Sequence, residues 1–481
     1  MRFLLLFILL CFTHIKLKAL SITTADTIPA IVRIQTADTL ITSTQKANNL
    51  IVGNIKLEGN KRTRDYIILR ELLFKSGDII DSTELVNKLE QSKQFVFNTA
   101  LFLTTNVAIQ NIENGVANII VSVKERWYFF PLPYFRIISR NFNEWWVTEK
   151  RNLDRVNYGL KFMQGNATGQ NDELNVWLID GYNTQINFRY TLPFFDKSLK
   201  KGFSIGYVYS TQKEINYASS LNKQVFYKSN DILRRFSRFD VLYSYRPDQR
   251  WRHYWRMSYT KEWLADSVLK LNPQYRPASL QNQQYFDAGY TVQYWNLDYN
   301  FYPSSGYSFE GSFYTRDFKK PLQLFVASAR ATWAKKLNEK WFFRQEASAS
   351  IRFPNPNAFN STRLLGFGSM QLRGLELYVA EGTAGAVVQN SLHFQAFKYI
   401  LKNPFKSKTH DKIPFTFYLK AFNDWGYAYT NNIGNSRLNN KVLRTFGLGL
   451  DIVSLYDFVF RIEYSFNQLG DRSLFFQTRN D

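Results

Sequence analysis

The 481-residue chain holds one cysteine, four histidines and no stretch of eighteen consecutive apolar residues. Cys11, the only cysteine, lies in the opening "MRFLLLFILLCFTHIKLKALS". If that segment is removed, no thiol remains, and disulfides and thiolate metal sites are excluded. The absence of a long apolar run excludes a transmembrane helix, which needs about 20 such residues. Of the histidines, only His253 and His393 fall in segments read below as strands. No Ser/His/Asp spacing, Gly-x-Ser-x-Gly block or metal-ligand cluster is present. The chain is therefore expected not to be an enzyme, with no catalytic residue, no metal and no cofactor.

What is present begins with a short positive start, Arg2, and an apolar run from Phe3 to Phe12. This reads as a signal peptide over residues 1–19, cleaved after Ala19. A retained anchor is the rival, and Leu10 before Cys11 is too bulky for a lipidation site. An exported chain without a membrane helix is either soluble or a β-barrel. Residues 20–49 are rich in Thr, Ser and Ala, contain "TADT" twice, and read as a flexible linker. The formal net charge is +22. Its cations are spread through strand-like segments and form no basic helix, so no nucleic acid is expected. They suit a polar lumen and lipid headgroups instead.

Residues 50–126 change character. "IVGNIKLEGN" alternates as a strand and ends in a turn. "TRDYIILRELLF" carries Ile67, Ile68, Leu72 and Leu73 on one helical stripe, with Thr63 placed to cap it. Asp81 or Ser82 would cap a second helix bearing Leu85, Val86 and Leu89. Two strands joined by Asn114-Gly115 follow. The expected order is β-α-α-β-β, one small α/β domain.

From residue 127 to 481, alternation dominates. In "LRTFGLGLDI", Phe446, Leu448, Leu450 and Ile452 share one face, with Thr445, Gly447, Gly449 and Asp451 on the other. In "DFVFRIEYSF", Phe458 to Phe466 alternate with Val459, Arg461, Glu463 and Ser465. This pattern fits a transmembrane barrel with lipid outside and a polar interior. Strands are expected near 155–164, 172–180, 183–191, 202–212, 222–230, 237–246, 251–262, 284–300, 306–316, 322–334, 341–353, 384–397, 413–424, 443–452, 456–466 and 472–479. The fold class is thus mainly β, an antiparallel barrel of about sixteen strands behind one small α/β domain. Asp180-Gly181 and residues 246–249, 302–306, 336–340 and 453–457 read as tight turns at one end. Trp251, Trp255, Trp263, Trp295, Trp333, Trp341 and Trp425, near strand ends, read as interface girdles.

One long connection breaks the pattern. "GFGSMQLRGLELYVAEGTAG" (366–385) and the residues before it hold Leu364, Leu365, Phe367, Met370, Leu372, Leu375 and Leu377. Those side chains seek burial, so the segment is expected to fold into the lumen. Arg373 would then need a partner. Asp424 shares the lumen side of its strand with Thr416, Tyr418 and Lys420, and a carboxylate can take a guanidinium two-pronged. Glu346, on the lumen side of the eleventh strand, is a second candidate. A solvated Arg373 is the competing reading.

Several motifs together resemble the Omp85 superfamily, the outer-membrane proteins of the bacterial surface antigen type. "IKLEGN", "GDIID", "ALFLTTNVAI" and "ANIIVSVKER" resemble that family's periplasmic POTRA module. "LRGL", with Arg373 and Gly374, resembles its [V/I]-R-G-[F/Y] loop signature. "FNDWG", with Asp424 and Gly426, resembles its F-x-D-x-G strand. Asp298, Pro303 and Gly306 of "LDYNFYPSSG" match its turn motif. Leu372 and Leu375 depart from the usual residues. The resemblance implies an outer-membrane barrel with its POTRA domain in the periplasm. It implies insertion of other barrels or translocation of polypeptide, with unfolded outer-membrane or secreted polypeptides, outer-membrane lipids and periplasmic accessory proteins as partners. A two-partner secretion transporter for one exoprotein, a porin and a lipid-handling barrel are the alternatives.

Overall fold

Strand-forming alternation and short helical stripes both find their place in a computed structural model. It describes residues 49–137, 156–317, 323–353, 358–367, 370–402 and 412–479. The leader, its cleavage point after Ala19 and residues 20–48 of the linker lie outside the described residues.

The N-terminal module runs β1 (Asn49–Glu58), α1 (Asp65–Leu69), β2 (Ile79–Asp81), α2 (Ser82–Phe97), β3 (Phe102–Glu113) and β4 (Val116–Glu125). Its sheet order is β2-β1-β4-β3, with β1 and β4 parallel. The short β2 was not expected. It pairs with β1 at the "GDIID" stretch. Asp81 caps α2 by accepting from the backbone N–H groups of Thr83 and Glu84. Thr63 does not cap α1, which starts after Arg64 without a side-chain cap. Its hydroxyl is buried against Tyr128 and Asn166 instead. Leu85 and Leu89 of α2 join Val52, Ile67, Ile68, Phe102 and Ile119 in one core. Val86 stays exposed. Asn114 and Gly115 both have positive φ, the requirement of the tight hairpin they make between β3 and β4.

The remainder is one sixteen-stranded antiparallel sheet. Its strands begin with β5 (Phe129–Ile137), β6 (Val156–Gly165), β7 (Glu173–Gly181), β8 (Gln185–Leu192), β9 (Lys201–Gln212) and then β12 (Arg234–Tyr245). The hairpin β10 (Glu214–Ser220) and β11 (Lys223–Lys228) stands apart as its own two-stranded sheet. The series continues as β13 (Trp251–Leu264), β14 (Asn282–Leu297), β15 (Gly306–Arg316), β16 (Leu324–Lys336) and β17 (Trp341–Phe353). After the small pair β18 (Arg363–Leu365) and β19 (Ala380–Glu381) come β20 (Ala384–Lys402), β21 (Lys412–Tyr429), β22 (Val442–Val453), β23 (Val459–Asn467) and β24 (Arg472–Arg479). Neighbours pair in chain order from β5 to β24, and among the described residues these two end strands carry no mutual register.

The count of sixteen conceals two compensating differences. β5 was not anticipated, because Pro131 and Pro133 break a strand reading. The expected strand at 222–230 belongs to the β10–β11 hairpin outside the large sheet. Missing one strand and adding another inverted the expected direction of everything between them. Asp180-Gly181 was expected at the end of the sheet that carries the other tight turns. Gly181 in fact pairs with Asn157 at the opposite end, and residues 166–169 touch the N-terminal module. From β12 onward the directions agree with expectation. The first strand of the large sheet, expected at 155–164, lies one strand earlier, at β5.

The two faces of the sheet differ sharply. The outer face exposes Phe239, Val241, Met257, Phe286, Phe309, Phe313, Leu419, Phe446, Leu448 and Phe476. The inner face buries Asp240, Thr260, Lys420, Asp424, Thr445, Asp451 and Glu463. That inversion of the soluble rule is what a lipid-embedded barrel presents.

Candidate functional site

The segment between β17 and β20 packs on the inner face. Leu364, Leu365, Met370, Leu372, Leu375 and Ala380 are buried with Val387, Ala428, Leu438 and Leu443 of the sheet and its far end. Leu377 alone of the expected apolar residues points out, 67% exposed. Two glycines make this docking possible. Gly374 turns the chain at φ +87°, where a Cβ would meet Ser465 at 3.2 Å. Gly426 leaves a gap that the side chain of Leu372 fills, and a Cβ there would collide with it.

Arg373 is delivered onto Asp424, which has no exposed surface. Its Nε donates to Asp424 Oδ2 at 2.7 Å, and Nη2 donates to Oδ1. The Arg373 backbone N–H adds a bond of 3.3 Å to the same carboxylate. Nη1 donates to Ser391 Oγ at 2.9 Å, and the guanidinium lies 4.2 Å over the Phe422 ring. The register places Asp424 opposite Gln389 and Phe422 opposite Ser391, so β20 and β21 build the receptor together. Glu346 faces the same interior and pairs with Arg330 at 3.1 Å and Arg344 at 3.3 Å.

Asp298, Pro303 and Gly306 form the turn before β15, at the other end of the sheet. Asp298 Oδ1 accepts the N–H groups of Tyr299, Ser304 and Ser305. Gly306, at φ +103°, closes the turn where a Cβ would strike Asn296 O. Pro303 is buried beside it. This turn aims Tyr302 inward, and its hydroxyl donates to Asp451 Oδ2 at 2.9 Å and lies 3.0 Å from His393 Nδ1.

Sequence reasoning missed what joins the two motifs. Lys420 Nζ lies 2.5 Å from Asp451 Oδ1 and 2.6 Å from Glu463 Oε1. Glu463 in turn lies 3.9 Å from Arg373 Nη1. A buried relay therefore runs Arg373, Glu463, Lys420, Asp451, Tyr302, across the inner face from the loop to the turn. The signal was available, since Lys420, Asp451 and Glu463 all have inner parity. Their pairing was not, because it depends on register across β21, β22 and β23.

Comparison with known proteins adds an assignment for the N-terminal module. Residues 50–126 match the POTRA family, described as the surface antigen variable number repeat. Residues 50–126 are a POTRA domain. No curated protein matches the chain. Among solved structures, BamA from Haemophilus ducreyi lacking POTRA domains 1–3 is similar at 16% identity, covering 89% of this chain and 84% of that one, with a TM-score of 0.47. CdiB from Escherichia coli is similar at 11% identity, covering 94% and 92%, with a TM-score of 0.46. CdiB from Acinetobacter baumannii shares 16% identity over 89% of this chain and 73% of that one, with a TM-score of 0.45. The chain has the two-part organisation that the Omp85 resemblance implies, a POTRA domain followed by a sixteen-stranded antiparallel sheet.

The POTRA domain is bolted to the turns at its end of the sheet. Glu71, fully buried, accepts from Arg246 Nη1 at 2.7 Å and Nη2 at 2.6 Å, and from Arg70 Nη1 at 3.0 Å. Burial by itself raises the Glu71 carboxyl, but Arg246 and then Arg70 outweigh it and hold it below its ordinary range. Gln249 Nε2 donates to the Arg70 and Leu72 carbonyls. On the other side Arg126 grips Asp457 two-pronged, at 2.6 and 3.2 Å. Tyr299, next to the Asp298 turn, donates to the same Asp457.

The opposite end is also laced shut. Asn222, at the tip of the β10–β11 hairpin, donates through Nδ2 to the Val379 carbonyl at 2.9 Å. Its carbonyl accepts from Val379 N–H at 2.7 Å, and its Oδ1 accepts from Arg437 N–H at 2.6 Å. One residue thus pins three connections together.

Proposed function

We propose that this protein is an outer-membrane barrel of the Omp85 type that inserts or translocates polypeptide, with its POTRA domain on the periplasmic side. The observation that carries the reading is the Arg373–Asp424 pair, which braces an apolar inward loop against the sheet wall behind a docked POTRA domain. An unpaired guanidinium at that depth would be costly, so the pair fixes the loop in one position.

In this reading the POTRA sheet receives an extended client at a free strand edge, through main-chain hydrogen bonds. The client then passes to the seam between β5 and β24, the two ends of the large sheet. Arg373 and Asp424 hold the loop behind the strands that lead to that seam, and the Lys420 relay ties the loop to the POTRA-side turn. The apolar outer face supports a lipid setting.

Depletion followed by outer-membrane proteomics tests the reading. General loss of barrels supports insertion. Loss of one secreted protein supports two-partner export. An unchanged protein profile overturns both and leaves a porin or lipid role. In the same assay Arg373→Ala is expected to reproduce the depletion, and wild-type behaviour of that variant would remove the pair from the mechanism.

A further inference from the structure

A cavity of about 470 Å³ lies where the POTRA domain meets the inner face of the sheet. Its walls are mixed: Phe95 of α2, Phe194, Tyr254 and Leu297 supply aromatic and apolar surface, and Asn98, Thr191 and Gln249 are among the polar groups between them. Two further lining residues give it chemistry. Trp295 was read as a girdle residue, yet it shares the inner parity of Gln293, which bonds Glu310 across the same face. Arg252 lies with its guanidinium 4.6 Å over the Trp295 ring. Arg252 Nη1 is buried and has no hydrogen-bond partner.

The charge balance around this guanidinium is one-sided. Arg70, Arg246 and Arg252 gather near a single buried acid, Glu71. Glu71 is already engaged by Arg70 and Arg246, so Arg252 remains uncompensated. Arg246 Nε is also buried without a partner. Glu173, which lines the same cavity, is exposed to solvent. Arg252 is half-buried, but a guanidinium nitrogen buried without a partner is still costly, and a mobile anion beside it removes that cost.

We propose that this cavity binds a small organic anion, a carboxylate or phosphate group carried on a compact aromatic or branched apolar body. The guanidinium fork matches either head group in two-pronged geometry. Its opposite face rests on Trp295, which orients it towards the open volume. The cavity lies within the range of about 300–1,000 Å³ typical of small-ligand sites. Inorganic phosphate would satisfy the charge but leave the aromatic walls wet, so the body contributes part of the affinity.

Isothermal titration of the full-length, detergent-solubilised protein tests this with phenyl phosphate, phenylacetate, inorganic phosphate and benzyl alcohol. The two aromatic anions are expected to bind, inorganic phosphate at least tenfold more weakly, and benzyl alcohol not at all. Arg252→Gln should weaken the aromatic anions at least tenfold. Arg256→Gln, which alters an inward arginine paired with Asp240 outside the cavity, should leave them unchanged. Trp295→Leu should narrow the gap between phenyl phosphate and inorganic phosphate. If Arg252→Gln fails to fold, the preference of the wild-type protein for phenyl phosphate over benzyl alcohol decides the matter. No anion binding at millimolar concentration, or equal binding by folded Arg252→Gln, overturns the proposal and leaves Arg252 satisfied by water alone.

Discussion

Leu372 occupies the space that a side chain at Gly426 would need. Leu372 belongs to the inward segment and Gly426 to β21, 54 positions apart, and neither contact surface works without the other. Gly426→Ala should therefore expel the loop or shift β21, at an overpacking cost of about 1–3 kcal/mol. Shortening the intruder should compensate. Leu372→Ala combined with Gly426→Ala is expected to be more stable than Gly426→Ala alone, read as the midpoint of the heat-induced mobility change in detergent. A double variant no better than the single one would show that the two do not share this space.

Arg373→Lys keeps the charge and loses the fork. It is expected to fall close to Arg373→Ala in that same melting assay, because Asp424 then keeps only part of its bonding. Removing one partner of such a buried pair costs about 3–5 kcal/mol. Arg373→Ala with Asp424→Ala should cost less than the sum of the single changes, a coupling that a double-mutant cycle measures directly. Strict additivity would mean that the pair contributes no mutual stabilisation.

The Glu71–Arg246 bolt carries a pH signature. The Glu71 carboxyl is held below its ordinary 4.5 in the docked state. Its contribution is therefore complete above that value and is lost as pH falls through the lower, docked one. POTRA docking should be unchanged between pH 8 and 6 and loosen below about 4.5. Glu71→Gln should already be loosened at pH 7 and show little further change on acidification. Spin labels on the POTRA domain and the sheet, read as a distance distribution, report this without interference, since Cys11 is the only native cysteine.

Asn222 makes a different kind of prediction. Its φ is +64°, so Asn222→Gly preserves the turn while deleting the side-chain bonds. That variant is expected to raise single-channel conductance in planar bilayers by loosening the far end. Asn222→Cys with Ser436→Cys, oxidised, should abolish the rise, since the two side chains bond at 2.9 Å. Equal conductance of wild type and Asn222→Gly would show that the pin does not limit passage.

Much of this was legible in the sequence, for reasons that differ by element. Alternation named the inner residues of β21, β22 and β23 correctly, and turn chemistry at Asn114-Gly115 and Gly306 located those bends. Arg373 and Asp424 were matched by parity and chemical fit. Lys420, Asp451 and Glu463 were on the right face, but their contacts depend on inter-strand register, which no single strand encodes. The β10–β11 hairpin alternates as convincingly as a sheet strand, and only the tertiary packing of Asn222 and Ile215 sets it apart. Trp295 was misassigned because a tryptophan near a strand end looks the same facing lipid or lumen.

The prolines of β5 have a further consequence. Gly165 N–H donates to the Tyr128 carbonyl, so Tyr128 and every second residue after it turn towards β6. Phe129, Pro131, Pro133 and Phe135 therefore turn to the free side of the strand. All four offer a carbonyl there, but only the two phenylalanines offer an N–H. Along its middle the first strand can accept hydrogen bonds and cannot return them. Any strand that lies against these four residues, β24 or another, meets four carbonyls and only two N–H groups, where a strand without proline would offer four of each, so this margin of the sheet pairs more weakly than the ladders within it.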